Sequence, residues 1–445
     1  MQASTPAIIT PGMLLSTPRS ACNPPPSNPA ISPRRVIDVP LQHALEAAGA
    51  VVIEGARATG KTMTAMNAAR SFVFMDDPDF KLVVDAAPQM LLGGARPRLL
   101  DEWQVAPSLW NLVRRSVDSS ANPGQFILTG SSVPSDDLTR HTGAGRFLRL
   151  RQRTMSWWEK LEYPSTQIGL ADLFDGRRPS PSLANTDLDT VIDNLLRPGF
   201  PAMTRLTLPQ SAKRLRRYID DVARTDIPRL AEVRHQPEVV KQLINAIARS
   251  AASEVTYATL AEDVRGVAPS IKAETIANYV ELLQRLFIVE PQPAWSPSLR
   301  SRARLRRAPK LHLADAALTA AAMKAGPDQL RSDLKTLGFL FESAVIHDLT
   351  VFATALDGEV FHYRDSNGHE IDAIIALADG RWGAVEVKLG GGRVLDAANS
   401  LNTAIKQIDT DAVGDPSFRL VITGTGHTLV TDDGTVTAPL AALSL

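Results

Sequence analysis

Cysteine is almost missing from this chain. The only one, Cys22, leaves no internal disulfide to form and no Cys-rich zinc site to build. Its eight histidines are scattered without zinc-ligand spacing. Charge of either sign is not in excess, with 48 Lys and Arg against 48 Asp and Glu. The chain as a whole therefore has no bulk attraction for nucleic acid, and any such surface must be local. No apolar run approaches the ~20 residues of a membrane helix, so no membrane partner is expected. The N-terminal stretch lacks a basic region followed by an apolar one and makes a poor secretion signal. These absences together predict a cytoplasmic protein.

What is present suits two or three domains with real cores: 445 residues, 44% hydrophobic and 22% charged. The first 35 residues are rich in Pro, Ser and Ala and read as a mobile tail. From Val36 on, "AVVIEG", "FKLVVDA", "RPRLLDEW" and "GQFILTGSS" read as strands separated by helical segments such as "PSLWNLVRRSVD". That alternation predicts an α/β domain with a parallel sheet over residues 36–162. Residues 163–309 turn mostly helical and end in "TYATLAEDVRGVAPSIKAETIANYVELLQRLFIVEPQPAW", a helix–turn–helix–strand order like that of a winged helix. Residues 310–445 open with the helix "LKTLGFLFESAVIHDLTVFATA" and continue with "GEVFHYRD", "EIDAIIAL" and "RWGAVEVKL", which read as strands. No repeat of 20–50 residues is visible.

"GARATGKT", Gly55 to Thr62, fits G-x-x-x-x-G-K-[ST] between an expected strand and an expected helix. Gly55, Ala56, Arg57, Ala58, Thr59 and Gly60 would turn backbone N–H groups toward the phosphates of ATP. Lys61 would reach the β and γ oxygens, and the Thr62 hydroxyl would hold Mg²⁺. In "RPRLLDEW", Asp101 would join the Mg²⁺ shell and Glu102 would orient and deprotonate the attacking water. Thr129 or Ser131, at the end of "FILTGSS", would sense the γ-phosphate, although hydroxyl residues at strand ends also form turns. Arg146 in "RHTGAGRFLRL" reads as a catalytic arginine finger or as a solvated loop residue, and Arg57 carries the same two readings.

A second constellation lies near the C-terminus. Glu386 and Lys388 are two apart in an apolar strand and share a face. Asp372 lies fourteen positions before Glu386, enough for a hairpin to bring them together. Glu342 interrupts the apolar helix "FLFESAVIHDL". Oxygen ligands of this kind suit Mg²⁺ or Mn²⁺, and Lys388 would orient a water or neutralise charge on a phosphate. E-x-K alone is common; the ordered set points to a nuclease-type fold. The run Arg300, Arg302, Arg304, Arg306, Arg307 and Lys310 is the best local candidate for contact with DNA or RNA.

With both sets in view the chain resembles a widespread archaeal and bacterial family. Its members join an AAA-type P-loop ATPase domain to a C-terminal domain of unknown function shaped like PD-(D/E)xK nucleases. The matching pieces include "GARATGKT", "LLDEWQ", "ILTGSS", "GAGRFLRL", "SWWEKLE", "LLRPGFPAM", "YIDDVARTDIPRL", "LHLADAAL", "LGFLFESAVIHDL", "YRDSNGHEIDAII" and "AVEVKLG". The resemblance implies ATP binding by Lys61 and Thr62, with Asp101 and Glu102 as the second acidic motif and Arg146 at the finger position. It also places Glu342, Asp372, Glu386 and Lys388 on the nuclease motif. Pro198 and Ala317 stand where the family usually has glycine. Two functions follow as alternatives: an ATPase that drives a nuclease on nucleic acid, or a regulatory ATPase whose nuclease-like domain binds a partner without cutting. A homo-oligomer is required only if Arg146 acts between subunits.

Overall fold

The structure is a computed structural model that describes residues 35–120, 122–132, 144–162, 168–184, 186–230, 236–296 and 308–445, apart from the side chain of residue 81. The basic run from Arg300 to Arg307 lies outside these residues.

The front domain is built on five parallel strands: β1 (Ala50–Glu54), β2 (Ser71–Phe74), β3 (Arg98–Asp101), β4 (Phe126–Gly130) and β5 (Phe147–Arg151), in the order β2-β3-β4-β1-β5. Alternation along β1 explains why it is apolar throughout. Ala50 and Val52 join Trp110, Val113 and Leu128 on one face, while Val51 and Ile53 join Leu41, Ala65 and Ile127 on the other. The helix Leu109–Ser120 covers the first face with Leu109, Trp110, Val113 and Val117, one apolar stripe. "FKLVVDA" is not a strand. Residues Lys81–Ala86 are helical, and the place beside β3 is taken by "SFVF", whose aromatic and β-branched side chains suit the pleat better.

The chain is ordered from at least Arg35, one residue inside the expected tail, and Arg35 is buried. A short strand β6 (Ile168–Gly169) follows the front domain, and the helix Leu188–Leu196 packs into the C-terminal core rather than the helical middle. The middle region gathers helices Leu208–Asp221, Pro237–Arg249, Tyr257–Val264 and Ala273–Arg285 around one apolar core. The first of these runs through a π-helical turn, Val222–Asp226, into Ile227–Leu230. An antiparallel hairpin of β7 (Val289–Gln292) and β8 (Lys310–Leu313) then follows the helices. The expected boundary between 309 and 310 thus falls inside a strand pair, because β8 hydrogen-bonds to β7.

The C-terminal sheet has six strands: β9 (Gly358–Arg364), β10 (Glu370–Leu377), β11 (Trp382–Lys388), β12 (Arg419–Thr423), β13 (Leu429–Val430) and β14 (Val436–Pro439). β9, β10 and β11 are antiparallel neighbours, and β11, β12 and β14 are parallel. β15 (Leu443–Ser444) returns to pair with β6. The helix Leu334–Ala355 corrects one expectation: its 22 residues are long and apolar enough, by length and composition, to cross a membrane. Here 61% of its most apolar window is buried, and it packs against β9, β10 and β11.

Candidate nucleotide site and C-terminal carboxylate cluster

Parallel sheets leave a crevice at the carboxyl ends of their strands. β1, β3 and β4 deliver Gly55, Asp101 and Thr129 to that edge together. Gly55 is required by close approach, since a Cβ there would lie 2.1 Å from the carbonyl oxygen of Gln152. Gly60 takes φ +94° at the start of the helix Lys61–Ala68, a conformation that glycine adopts without strain. The loop is braced from outside. The Thr59 carbonyl accepts hydrogen bonds from Arg35 Nη1 at 2.9 Å and from Gln152 Nε2 at 3.0 Å. Neither residue stands out in the sequence: Arg35 falls in the expected tail and Gln152 follows an edge strand.

Lys61 lies over the loop, its Nζ donating to the carbonyls of Gly55 at 2.9 Å and Ala56 at 2.8 Å. Burial lowers its pKa to about 8, against the charges of Glu102 and Asp101, which act to raise it. The Thr62 hydroxyl donates to Asp101 Oδ1 at 2.8 Å, and Thr129 donates to the same oxygen at 2.5 Å. Burial raises the Asp101 pKa despite these two bonds. A buried carboxylate beside a hydroxyl is an oxygen donor set of the kind Mg²⁺ takes, and a cation there would offset the burial of the charge.

Glu102 takes the left-handed conformation at φ +53°, uncommon for a residue with a side chain and often found at functional sites. Its N–H donates to Thr129 Oγ1 at 3.1 Å; its carboxylate accepts from Ser131 Oγ at 3.2 Å and from Gln104 Nε2. Thr129 is fully buried, and its hydroxyl links the Asp101 carboxylate to the backbone N–H of Glu102. Glu102 opens onto a cleft of about 640 Å³, which Arg57, Gln104, Ser131, Asp226 and Arg229 also line. Arg57 is half exposed and pairs with Asp226 Oδ1 at 2.9 Å; Tyr218 donates to its carbonyl oxygen at 3.3 Å.

Arg146 is elsewhere. Its carbonyl oxygen accepts from the N–H of Ala50, at the end of β1 remote from the loop, and its guanidinium pairs with Asp118 at 2.8 Å. The run of β1 puts roughly 16 Å between that end and Gly55. Within one chain Arg146 does not line the cleft; among the described residues the cations that do are Arg57 and Arg229.

At the other end of the chain, β10 and β11 form the expected hairpin. Ala373 faces Val385, and Asp372 Oδ2 accepts from the N–H of Val387 at 2.8 Å. Lys388 Nζ is 2.7 Å from Glu386 Oε1, and Lys310 Nζ is 2.9 Å from Glu342 Oε1. Burial first, and then Asp372, hold both Glu342 and Glu386 above the usual carboxylate range, against the pull of the lysines. The metal set expected of Glu342, Asp372 and Glu386 is not assembled. Among the described residues no three acidic, His or Cys side chains come close enough to hold an ion, and ammonium groups pair with two of the carboxylates instead. Lys310 was legible only as part of the basic run, not as a partner of Glu342.

Residues 47–161 match the model of the AAA domain family. Residues 188–329 and 337–443 match two domains of unknown function, DUF8612 and DUF4143. Among solved structures, the Walker-type ATPase PABY2304 of Pyrococcus abyssi is similar at 12% identity and a TM-score of 0.41, over 64% of this chain and 94% of that one. No curated protein matches. The parallel sheet, the loop with its acid pair and the family match make the front domain an AAA-type P-loop ATPase domain, which binds ATP.

Proposed function

We propose that this chain hydrolyses ATP with Mg²⁺ and that hydrolysis serves the C-terminal domain. The supporting observation is the contact of Thr62 with Asp101 at 2.8 Å, with Glu102 next in the chain and open to the cleft. Backbone N–H groups of the loop and the Lys61 ammonium would take the β- and γ-phosphates. Mg²⁺ held by Thr62 and Asp101 would neutralise charge on those phosphate oxygens. Glu102 accepts the proton of the attacking water while its oxygen bonds to the γ-phosphorus and the bond to the β-phosphate oxygen breaks. Arg57 and Arg229 supply positive charge on the cleft side. Glu102→Gln is the test: it should keep ATP binding and lose turnover, and full turnover in that variant would refute the assignment.

Between the two roles for the C-terminal domain, the pairing of Glu342 and Glu386 with lysines favours the regulatory one, in which the domain binds a partner and the carboxylates cut nothing in this conformation. The nuclease reading rests on the four motif residues sharing one neighbourhood, where Asp372 acts on both glutamates. Incubation with plasmid, single-stranded DNA and RNA, with Mn²⁺ and ATP, separates the two. Cleavage that a Lys388→Ala variant lacks would favour the nuclease.

A further inference from the structure

Lys310 is buried, yet it does not belong to the elements that carry the carboxylates it faces. Glu342 sits on the helix Leu334–Ala355 and Asp372 and Glu386 on β10 and β11, whereas Lys310 arrives on β8 of the middle region. The hairpin that carries it is held on both sides. Opposite Lys310 in register, Gln292 donates through Nε2 to the backbone carbonyls of Phe361 at 3.1 Å and Asp372 at 2.9 Å. Two residues earlier, Glu290 accepts from Arg153 Nε at 2.9 Å and Nη2 at 2.5 Å. Arg153 follows β5, next to the Gln152 that braces the phosphate loop.

We propose that Lys310 is the resident counter-ion of the C-terminal carboxylate cluster and keeps it closed to divalent cations while the β7–β8 hairpin is docked. This rests on reading Glu342, Asp372 and Glu386 as an ion site. A divalent ion needs oxygens from several carboxylates at once, and Glu342 is occupied by an ammonium 2.9 Å away. Two cations at that spacing repel strongly in a site with little water, so the ion and Lys310 exclude each other. Lys388 pairs with Glu386 from the same strand and belongs to the motif itself; Lys310 is the cation that arrives on a separate element and leaves with it.

The test is Mn²⁺ binding to the full chain without nucleotide, followed by the electron paramagnetic resonance of free Mn²⁺. Lys310→Met should bind an added Mn²⁺ on the order of tenfold or more tighter than the wild type. The gain should vanish in Lys310→Met/Glu342→Gln, which also subtracts any binding at the front site. Lys310→Arg, with its charge kept, should stay closed. If Lys310→Met does not fold, Lys310→Gln is read by the same criteria. Wild type binding as tightly as the Lys310 variants, with loss in Glu342→Gln, would overturn the blocking role and leave the ion-site reading standing. No binding in any variant would overturn both. Neither result bears on ATP hydrolysis.

Discussion

Thr62 and Asp101 are 39 positions apart in the chain and 2.8 Å apart in the fold. The hydroxyl begins a helix and the carboxylate ends a strand; the parallel order of β3, β4 and β1 brings them to one edge. Glu102 shares that edge, so the residues proposed to hold the ion and to manage the water lie together.

If Glu102 manages the water, Glu102→Gln should lower the rate of ATP hydrolysis on the order of a hundredfold or more while ATP affinity stays within a few-fold. A phosphate-release assay beside a binding isotherm separates the two quantities. Equal loss of both would place Glu102 in binding instead.

The arginines are distinguished by position. Arg57→Ala should lower turnover at least about tenfold, because it removes positive charge from the cleft. Arg146→Ala, measured at concentrations where the chain is monomeric, should leave turnover within about twofold, since its partner Asp118 is exposed and such pairs contribute little. A large loss in Arg146→Ala that grows with protein concentration would instead indicate action across a subunit contact.

Arg35 and Glu159 form a buried ion pair at 2.8 Å, and Glu159 also accepts from the N–H groups of Val36 and Ser156. Glu159→Ala strands a buried guanidinium and should cost about 3–5 kcal/mol of stability. Because Arg35 also braces Thr59, nucleotide affinity should fall with it. Urea denaturation gives the first quantity and titration with a fluorescent ATP analogue the second.

His312 is buried between Ser343 and Gln292, and burial lowers its pKa to about 3. Unfolded, it titrates near 6.5. Between these values the unfolded chain binds the proton and the folded chain does not, so stability is full above about pH 6.5 and falls as the pH drops toward 3, by up to about 1.4 kcal/mol per unit. His312→Gln should flatten that part of the profile. An unchanged slope would mean that other groups control acid stability.

The loop is legible because its motif depends on local spacing: Gly55, Gly60, Lys61 and Thr62 fall within eight consecutive positions, and "LLDE" ends a buried strand. Arg146 keeps two readings in the sequence, because a sequence shows that an arginine adjoins a strand but not which end of the sheet that strand starts from. "FKLVVDA" was misread because a short apolar run suits a strand or a helix, and only competition for the place beside β3 decides. The hairpin of Asp372 and Glu386 follows from their fourteen-residue spacing. Lys310 could not be paired in advance, since its link to Glu342 exists only once β8 docks against the helix Leu334–Ala355. Gln152 and Arg35 support the loop through carbonyl contacts that leave no pattern in the sequence.

The most direct measurement is uptake of labelled ATP by the full chain in Mg²⁺, compared with Lys61→Ala. The account predicts saturable binding in the wild type and its loss in a variant that remains folded. Undiminished binding in Lys61→Ala, or no uptake by the wild type, would contradict it.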